Sequence, residues 1–139
     1  MPHRLLIVDD EHAIRFAMAD YFTAQGFEVD AASDRPAARA RLAVGSYDVV
    51  IVDLRLSGTR CTEGLDVIAD IRDSGAPTRV VLLTGSASAE IVATAVARGA
   101  AAVLFKSSGL PHVRDVVTGL LGKAEQGSKI NDEGSRMKD

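Results

Sequence analysis

The segment Val49-Val50-Ile51-Val52-Asp53 constrains this chain more than any other. Four β-branched apolar residues in a row leave no polar side for water. They read as a strand buried on both faces, the mark of a central strand in a parallel sheet. Asp53 stands where that strand leaves the sheet. In open α/β sheets the carboxyl ends of the strands face the ligand crevice. The most buried strand therefore delivers a carboxylate to the place where a ligand would sit.

The rest of the chain repeats the same unit. Arg4 to Val8 is a second short apolar run and ends in Asp9-Asp10-Glu11. A helix follows, with Ile14, Ala17, Met18 and Tyr21 on the expected buried face and Gly26 at its end. Asp10 or Glu11 is placed to cap or complement its N-terminus. Phe27 to Ala31 reads as an edge strand, because Glu28 and Asp30 interrupt its apolar run. Ser33 is the expected cap of the next helix, with Pro36 in the first turn and Gly45 near the end.

After the central strand, a polar loop from Arg55 to Thr62 leads to a helix that carries Leu65, Ile68 and Ile71 inward. Arg79 to Thr84 is the fourth strand, followed by a helix beginning at Gly85 to Ser88 with Ile91, Val92, Ala95 and Val96 on its inner face. Ala101 to Phe105 is the fifth strand, and Lys106 follows it directly. The last helix, from about Pro111, presents Val113, Val116, Val117, Leu120 and Leu121. Five β–α units in strict alternation predict an α/β fold, a parallel sheet covered by helices on both faces. The expected domain is 1–122. Residues 123–139 carry four basic and four acidic groups, with only Ala124, Ile130 and Met137 apolar. Such a segment cannot offset its ordering entropy and is expected to be a frayed helix end or disordered.

Composition narrows the function. The chain has 139 residues and a net charge of −3, which argues against direct nucleic-acid binding and against attraction to anionic lipid. The single cysteine, Cys61, cannot form an internal disulfide. No apolar run reaches the ~18 residues of a membrane span. The first strand begins at once, without a charged leader and apolar core. The expectation is a cytoplasmic protein that does not enter a membrane.

Polar residues gather at the strand ends. Asp9 and Asp10 follow the first strand, Asp53 ends the third, Thr84 the fourth, and Lys106 follows the fifth. A sheet order of 2-1-3-4-5 makes strands one and three neighbours at the switch point, so the three carboxylates converge. Crowded carboxylates raise one another's pKa values. A hard divalent cation such as Mg²⁺, which takes oxygen ligands, removes that conflict and bridges to a phosphoryl oxygen. Lys106 would neutralise a second oxygen and Thr84 would donate to a third. Asp53 would keep one oxygen free as a nucleophile that forms an aspartyl phosphate.

These residues carry a family resemblance. Ile7-Val8-Asp9-Asp10-Glu11, Val50-Ile51-Val52-Asp53-Leu54, Leu82-Leu83-Thr84-Gly85 and Leu104-Phe105-Lys106, in this order and spacing, resemble the receiver domain of bacterial two-component response regulators. The resemblance covers about residues 4 to 121. It implies a flavodoxin-like (βα)5 three-layer sandwich with strand order 2-1-3-4-5. Asp53 is then the implied phosphoacceptor, taking its phosphoryl group from a phosphohistidine on a sensor histidine kinase or a phosphotransfer protein. Asp9 and Asp10 are the implied metal-binding pair, joined by Asp53 and the backbone carbonyl of Arg55 around Mg²⁺. Thr84 is the implied switch hydroxyl, Phe105 the switch aromatic, and Lys106 the phosphate-binding lysine. Gly85 would leave the phosphoryl site open. The output surface would be the fourth helix, fifth strand and fifth helix, binding a downstream protein or a second copy. The chain would be a switch rather than a turnover enzyme.

Three departures from the family pattern stand out. Ser107 occupies the position after the lysine where members often carry a cis proline, and a cis non-proline bond costs about 2.5–4 kcal/mol. Ser57 replaces another common proline. Glu63-Gly64-Leu65-Asp66 resembles the family's acidic-Gly-hydrophobic-acidic signature but arrives about three residues late, so the loop with Gly58, Thr59, Arg60 and Cys61 is long. Other readings of the same residues are a degenerate receiver that binds partners without phosphate, an aspartyl-nucleophile phosphatase, and a flavin or nucleotide carrier. A phosphatase resembling Asp-x-Asp-x-Thr would need a second acid where Arg55 stands, and a carrier would need a phosphate loop where Asp9-Asp10-Glu11 stands. Read singly, Phe105 is a core residue, Arg15, Arg35, Arg39 and Arg41 decorate solvated helix faces, and His3, His12 and His112 are too scattered for a site.

Overall fold

The computed structural model of the chain describes residues 2–56 and 63–125. Strands β1 (Arg4–Val8), β2 (Glu28–Ala32), β3 (Val49–Asp53), β4 (Arg79–Thr84) and β5 (Ala102–Phe105) alternate with helices α1 (His12–Ala24), α2 (Arg35–Val44), α3 (Glu63–Asp73), α4 (Ala89–Arg98) and α5 (Leu110–Glu125). All strand pairings are parallel, in the order β2-β1-β3-β4-β5. The α/β alternation and the sheet order are those expected from the sequence.

The apolar runs split between the two sheet faces because successive strand side chains point to opposite sides. Leu6, Val8, Val50, Val52 and Leu82 pack under α2, α3 and α4 with Leu65, Ile68 and Ile71. Leu5, Ile7, Ile51, Val81 and Leu83 pack under α1 and α5 with Met18, Phe22, Val113 and Val117. Two cores on one sheet give the three-layer sandwich. β3 is buried at every position, so both cores meet on it.

Several local expectations are corrected. On α1 Met18 and Phe22 are buried and Ile14 and Tyr21 pack partly buried against the same core, while Ala17 faces solvent. Phe22 is fully buried and packs edge-on against Tyr21 and Phe27, and this aromatic cluster fixes how the helix is turned. Asp34, not Ser33, caps α2, since its extended backbone lets Oδ1 accept from the Ala37 N–H at 2.9 Å. On α4 the small Ala95 enters the core while Val96 is 57% exposed. Phe105 lies on edge strand β5 and is exposed, so it is not a core residue. Arg35 does not decorate a solvated face: it grips Asp70 of α3 through Nε and Nη2 at 2.8 and 2.9 Å, tying α2 to α3.

Helix α5 runs through Glu125, into the segment read as a frayed helix end. No cis peptide bond occurs among the described residues, so Lys106–Ser107 is trans. No described helix is long and apolar enough to cross a membrane. The expectations for Ser57, for the loop with Gly58, Thr59, Arg60 and Cys61, and for the tail from 126 onward fall outside the described residues.

Candidate functional site

Strand register assembles the site. Val8 pairs with Val52, so the residues that follow, Asp9 and Asp53, leave adjacent strands at the same level. Asp53 pairs with Leu83, and Thr84 pairs with Phe105 on the next strand. Lys106 opens a short 3₁₀ turn directly after β5, which aims its side chain back over the sheet end. One carboxylate oxygen from each of Asp9, Asp10 and Asp53 lies within 4.8 Å of the others. Lys106 Nζ is 3.3 Å from Asp9 Oδ2 and 3.5 Å from Asp53 Oδ2. The residues implied by the strand-end pattern therefore do come together.

Asp9 is the fixed point of the group. It is 2% exposed, and every polar atom has a partner. Its N–H donates to Ala32 O, Oδ1 accepts from the Glu11 N–H, Oδ2 faces Lys106, and its carbonyl accepts from Arg15. The Glu11 side chain makes no cap on α1; Asp9 reaches forward to the Glu11 backbone instead. Asp10 is exposed, and among the described residues its carboxylate has no hydrogen-bond or ion-pair partner.

The electrostatics are unbalanced. Burial pushes the Asp53 carboxyl up and the Asp9 charge pushes it further; Lys106 pulls it back, leaving it at about 6. Burial works against the Lys106 ammonium, but Asp53 and Asp9 outweigh it and hold the group above the ordinary lysine range. One ammonium among three carboxylates leaves excess negative charge in a small space. Asp9, Asp10 and Asp53 offer hard oxygen donors within 4.8 Å of one another. Such a donor set suits Mg²⁺ far better than a soft metal.

A cleft of about 350 Å³ opens above these groups, lined by Asp10, Asp53, Arg55, Thr84, Gly85 and Lys106 among others. Arg55 is exposed on its rim. A Cβ built on Gly85 would meet no atom within 4 Å, so the cleft is open on that side. Thr84 is buried, and its hydroxyl donates to Ser86 O at 2.9 Å rather than to an acid of the cluster.

Two residues of the site were not singled out for it by sequence reasoning. Gly64, in the first turn of α3, packs directly under the Asp53 backbone and donates its N–H to Leu54 O at 2.9 Å. Its signal was present: glycine inside a helix costs about 1 kcal/mol, so its presence calls for a packing reason. Arg15 is the second. Its Nη1 donates to Asp9 O at 2.8 Å, so it is not a solvated decoration of α1.

Comparison with known proteins gives the family. The family model described as response regulator receiver domain matches residues 5–118. The transcriptional regulatory protein CutR of Streptomyces coelicolor is 39% identical over 83 residues, covering 60% of this chain and 37% of that protein. The chain thus spans little over a third of the length of this relative. A CheY-like receiver domain protein from Methanospirillum hungatei superposes with a TM-score of 0.84 at 22% identity, covering 91% of this chain and 99% of that one. The response regulator TrrA of Thermotoga maritima, crystallised in complex with Mg(2+)-BeF, superposes with a TM-score of 0.75 at 29% identity, covering 86% of this chain and 99% of that one. With its five-stranded flavodoxin-like sheet, its acidic cluster and a family match across most of its length, the chain belongs to the response regulator receiver domains of two-component systems.

Proposed function

We propose that this receiver domain is a phosphorylation-operated switch in which Asp53 accepts a phosphoryl group from a phosphohistidine. The donor is a sensor histidine kinase or a phosphotransfer protein, and the setting is cytoplasmic. The observation that carries the reading is Lys106 spanning Asp9 and Asp53 beside an acidic cluster it only partly neutralises. The likeness to TrrA, which was crystallised with Mg(2+)-BeF, supports the same chemistry.

Asp53 attacks phosphorus with a carboxylate oxygen. The O–P bond forms as the P–N bond breaks, and the imidazole nitrogen leaves with the electron pair and takes up a proton. Asp10 and Asp53 would hold Mg²⁺, with the Arg55 carbonyl as a further ligand and Asp9 behind them. The bound ion supplies positive charge to phosphoryl oxygens as negative charge shifts onto the acceptor. Lys106 is placed to meet another phosphoryl oxygen once it exchanges Asp53 for it. Thr84 would give up Ser86 O to donate to a third.

Thr84 and Phe105 are paired across β4 and β5, which supports a route from the hydroxyl to the output face. On that face Val96 and Phe105 are exposed in the present state. Phosphorylation would favour the conformation with Phe105 turned inward, through a difference of a few kcal/mol between two states. A downstream protein or a second copy then binds to α4, β5 and α5. A turnover phosphatase is disfavoured by Arg55, which stands where a second acid would be needed.

Incubating the protein with Mg²⁺ and a small phosphodonor, then weighing it, tests the reading. A gain of one phosphoryl group is expected, and neither Asp53→Asn nor chelator-treated protein should show it. Absence of the adduct in the native protein would overturn the proposal, and release of many phosphates per chain would replace it with the phosphatase.

A further inference from the structure

We propose that Arg15 is a positioning residue for the cation site, acting through Asp10. This rests on the Mg²⁺ reading above and concerns how the chain prepares its ligands. Arg15 lies on α1 and sends Nη1 back to the Asp9 carbonyl, 2.8 Å away. That carbonyl and the Asp10 N–H belong to one planar peptide unit. Fixing the oxygen therefore fixes the plane from which Asp10 projects.

The arrangement matters because nothing among the described residues holds the Asp10 side chain. Both Asp9 carboxylate oxygens are committed, one to the Glu11 N–H and one to Lys106. Asp10 is exposed, without a hydrogen-bond or ion-pair partner among the described residues. A ligand whose side chain is unrestrained can be aimed only through its backbone. On one side the Asp9 N–H is anchored to Ala32 of β2, and on the other Arg15 clamps the carbonyl. The guanidinium thus links the helix to the peptide that carries the ligand.

Charge alone predicts the opposite effect. A guanidinium beside a cation site repels the cation, so deleting it should tighten binding. If Arg15 works by geometry, deleting it should loosen binding, and more so for the stricter ion. Mg²⁺ demands near-ideal octahedral geometry, whereas Ca²⁺ tolerates irregular coordination. Substitutions of groups that orient metal ligands typically cost 10- to 100-fold in affinity.

The test is calorimetric titration of the full chain with Mg²⁺ and with Ca²⁺, in the native protein, Arg15→Met and Arg15→Gln. Arg15→Met should bind Mg²⁺ about tenfold more weakly, with a smaller loss for Ca²⁺. Arg15→Gln keeps a neutral donor and should lose less. Unchanged or tighter Mg²⁺ binding in Arg15→Met, a greater loss in Arg15→Gln than in Arg15→Met, or an equal change for both ions overturns the inference. Arg15→Gln carries the same test if Arg15→Met does not fold. Absence of saturable Mg²⁺ binding by the native chain would overturn the functional reading and this inference together. Native binding with indifferent Arg15 variants would overturn the inference alone.

Discussion

Gly64 lies so close beneath Asp53 that a Cβ built on it would overlap the Asp53 carbonyl oxygen and come within 2.8 Å of Leu54 Cα. Both obstacles are backbone, so neither can rotate away. Replacing Gly64 with Ala must therefore push α3 and the end of β3 apart. Overpacking of this kind costs about 1–3 kcal/mol. Gly64→Ala should lower the melting temperature by several degrees and slow phosphorylation by a small donor. A variant that melts with the native protein and accepts phosphate at the native rate would show that the contact does not position Asp53.

The raised Asp53 pKa makes a stability prediction for the metal-free protein. Its carboxyl sits at about 6, against an ordinary value of 3.8. Between those values the folded chain binds more protons than the unfolded chain, so this group lowers stability as pH rises through the window. Asp53→Asn mimics the protonated form and removes the cost. In chelator it should be more stable than the native protein at pH 7.5, by up to about 3 kcal/mol, with Lys106's loss of a partner reducing the gain. The difference should vanish near pH 4. Added Mg²⁺ should stabilise the native protein and leave Asp53→Asn almost unmoved. Denaturant unfolding at several pH values measures all of this.

What was legible in the sequence was periodic or stood at the ends of strands. Short, continuous β-branched runs such as Val49 to Val52 favour a buried strand by length and residue type, and their alternation with helices points to a parallel sheet. The carboxylates, Thr84 and Lys106 declared themselves because each ends or follows a strand. Less legible were choices made by neighbours far along the chain. Ala17 and Phe22 both fit a helical stripe, and the tertiary cluster with Tyr21 and Phe27 selected Phe22. Ser33 and Asp34 are both good caps, and only backbone geometry chose Asp34. Arg15 was hidden for a related reason. Its partner is a backbone carbonyl six residues away, which no side-chain pattern advertises.

That aromatic cluster should dominate the stability of the α1–α5 side. Phe22 is fully buried among Leu5, Met18 and Val117 of the same core. Truncation removes its burial and leaves a cavity that a parallel sheet cannot collapse into. Phe22→Ala should cost about 3–5 kcal/mol, whereas Phe16→Ala, at a site 69% exposed, should cost little. Equal urea midpoints for the two variants would contradict this packing.

The proposed coupling of Thr84 to Phe105 can be tested optically, because the chain contains no tryptophan. Phe105→Trp places a single indole at a position 38% exposed in the present state, next to Thr84 in the β4–β5 register. In the unphosphorylated protein this indole should be quenched readily by acrylamide. Under the proposed switch, phosphorylation should draw the Thr84 hydroxyl, which donates to Ser86 O in the present state, toward the phosphoryl group and let the ring turn inward. Quenching should then fall. Adding Thr84→Ala removes the hydroxyl that responds to phosphate while leaving Asp53 and Lys106 in place. That double variant should still gain phosphoryl mass but keep its indole exposed. If quenching falls equally with and without the hydroxyl, the signal reaches Phe105 by another route, and the pairing of these two residues is only structural.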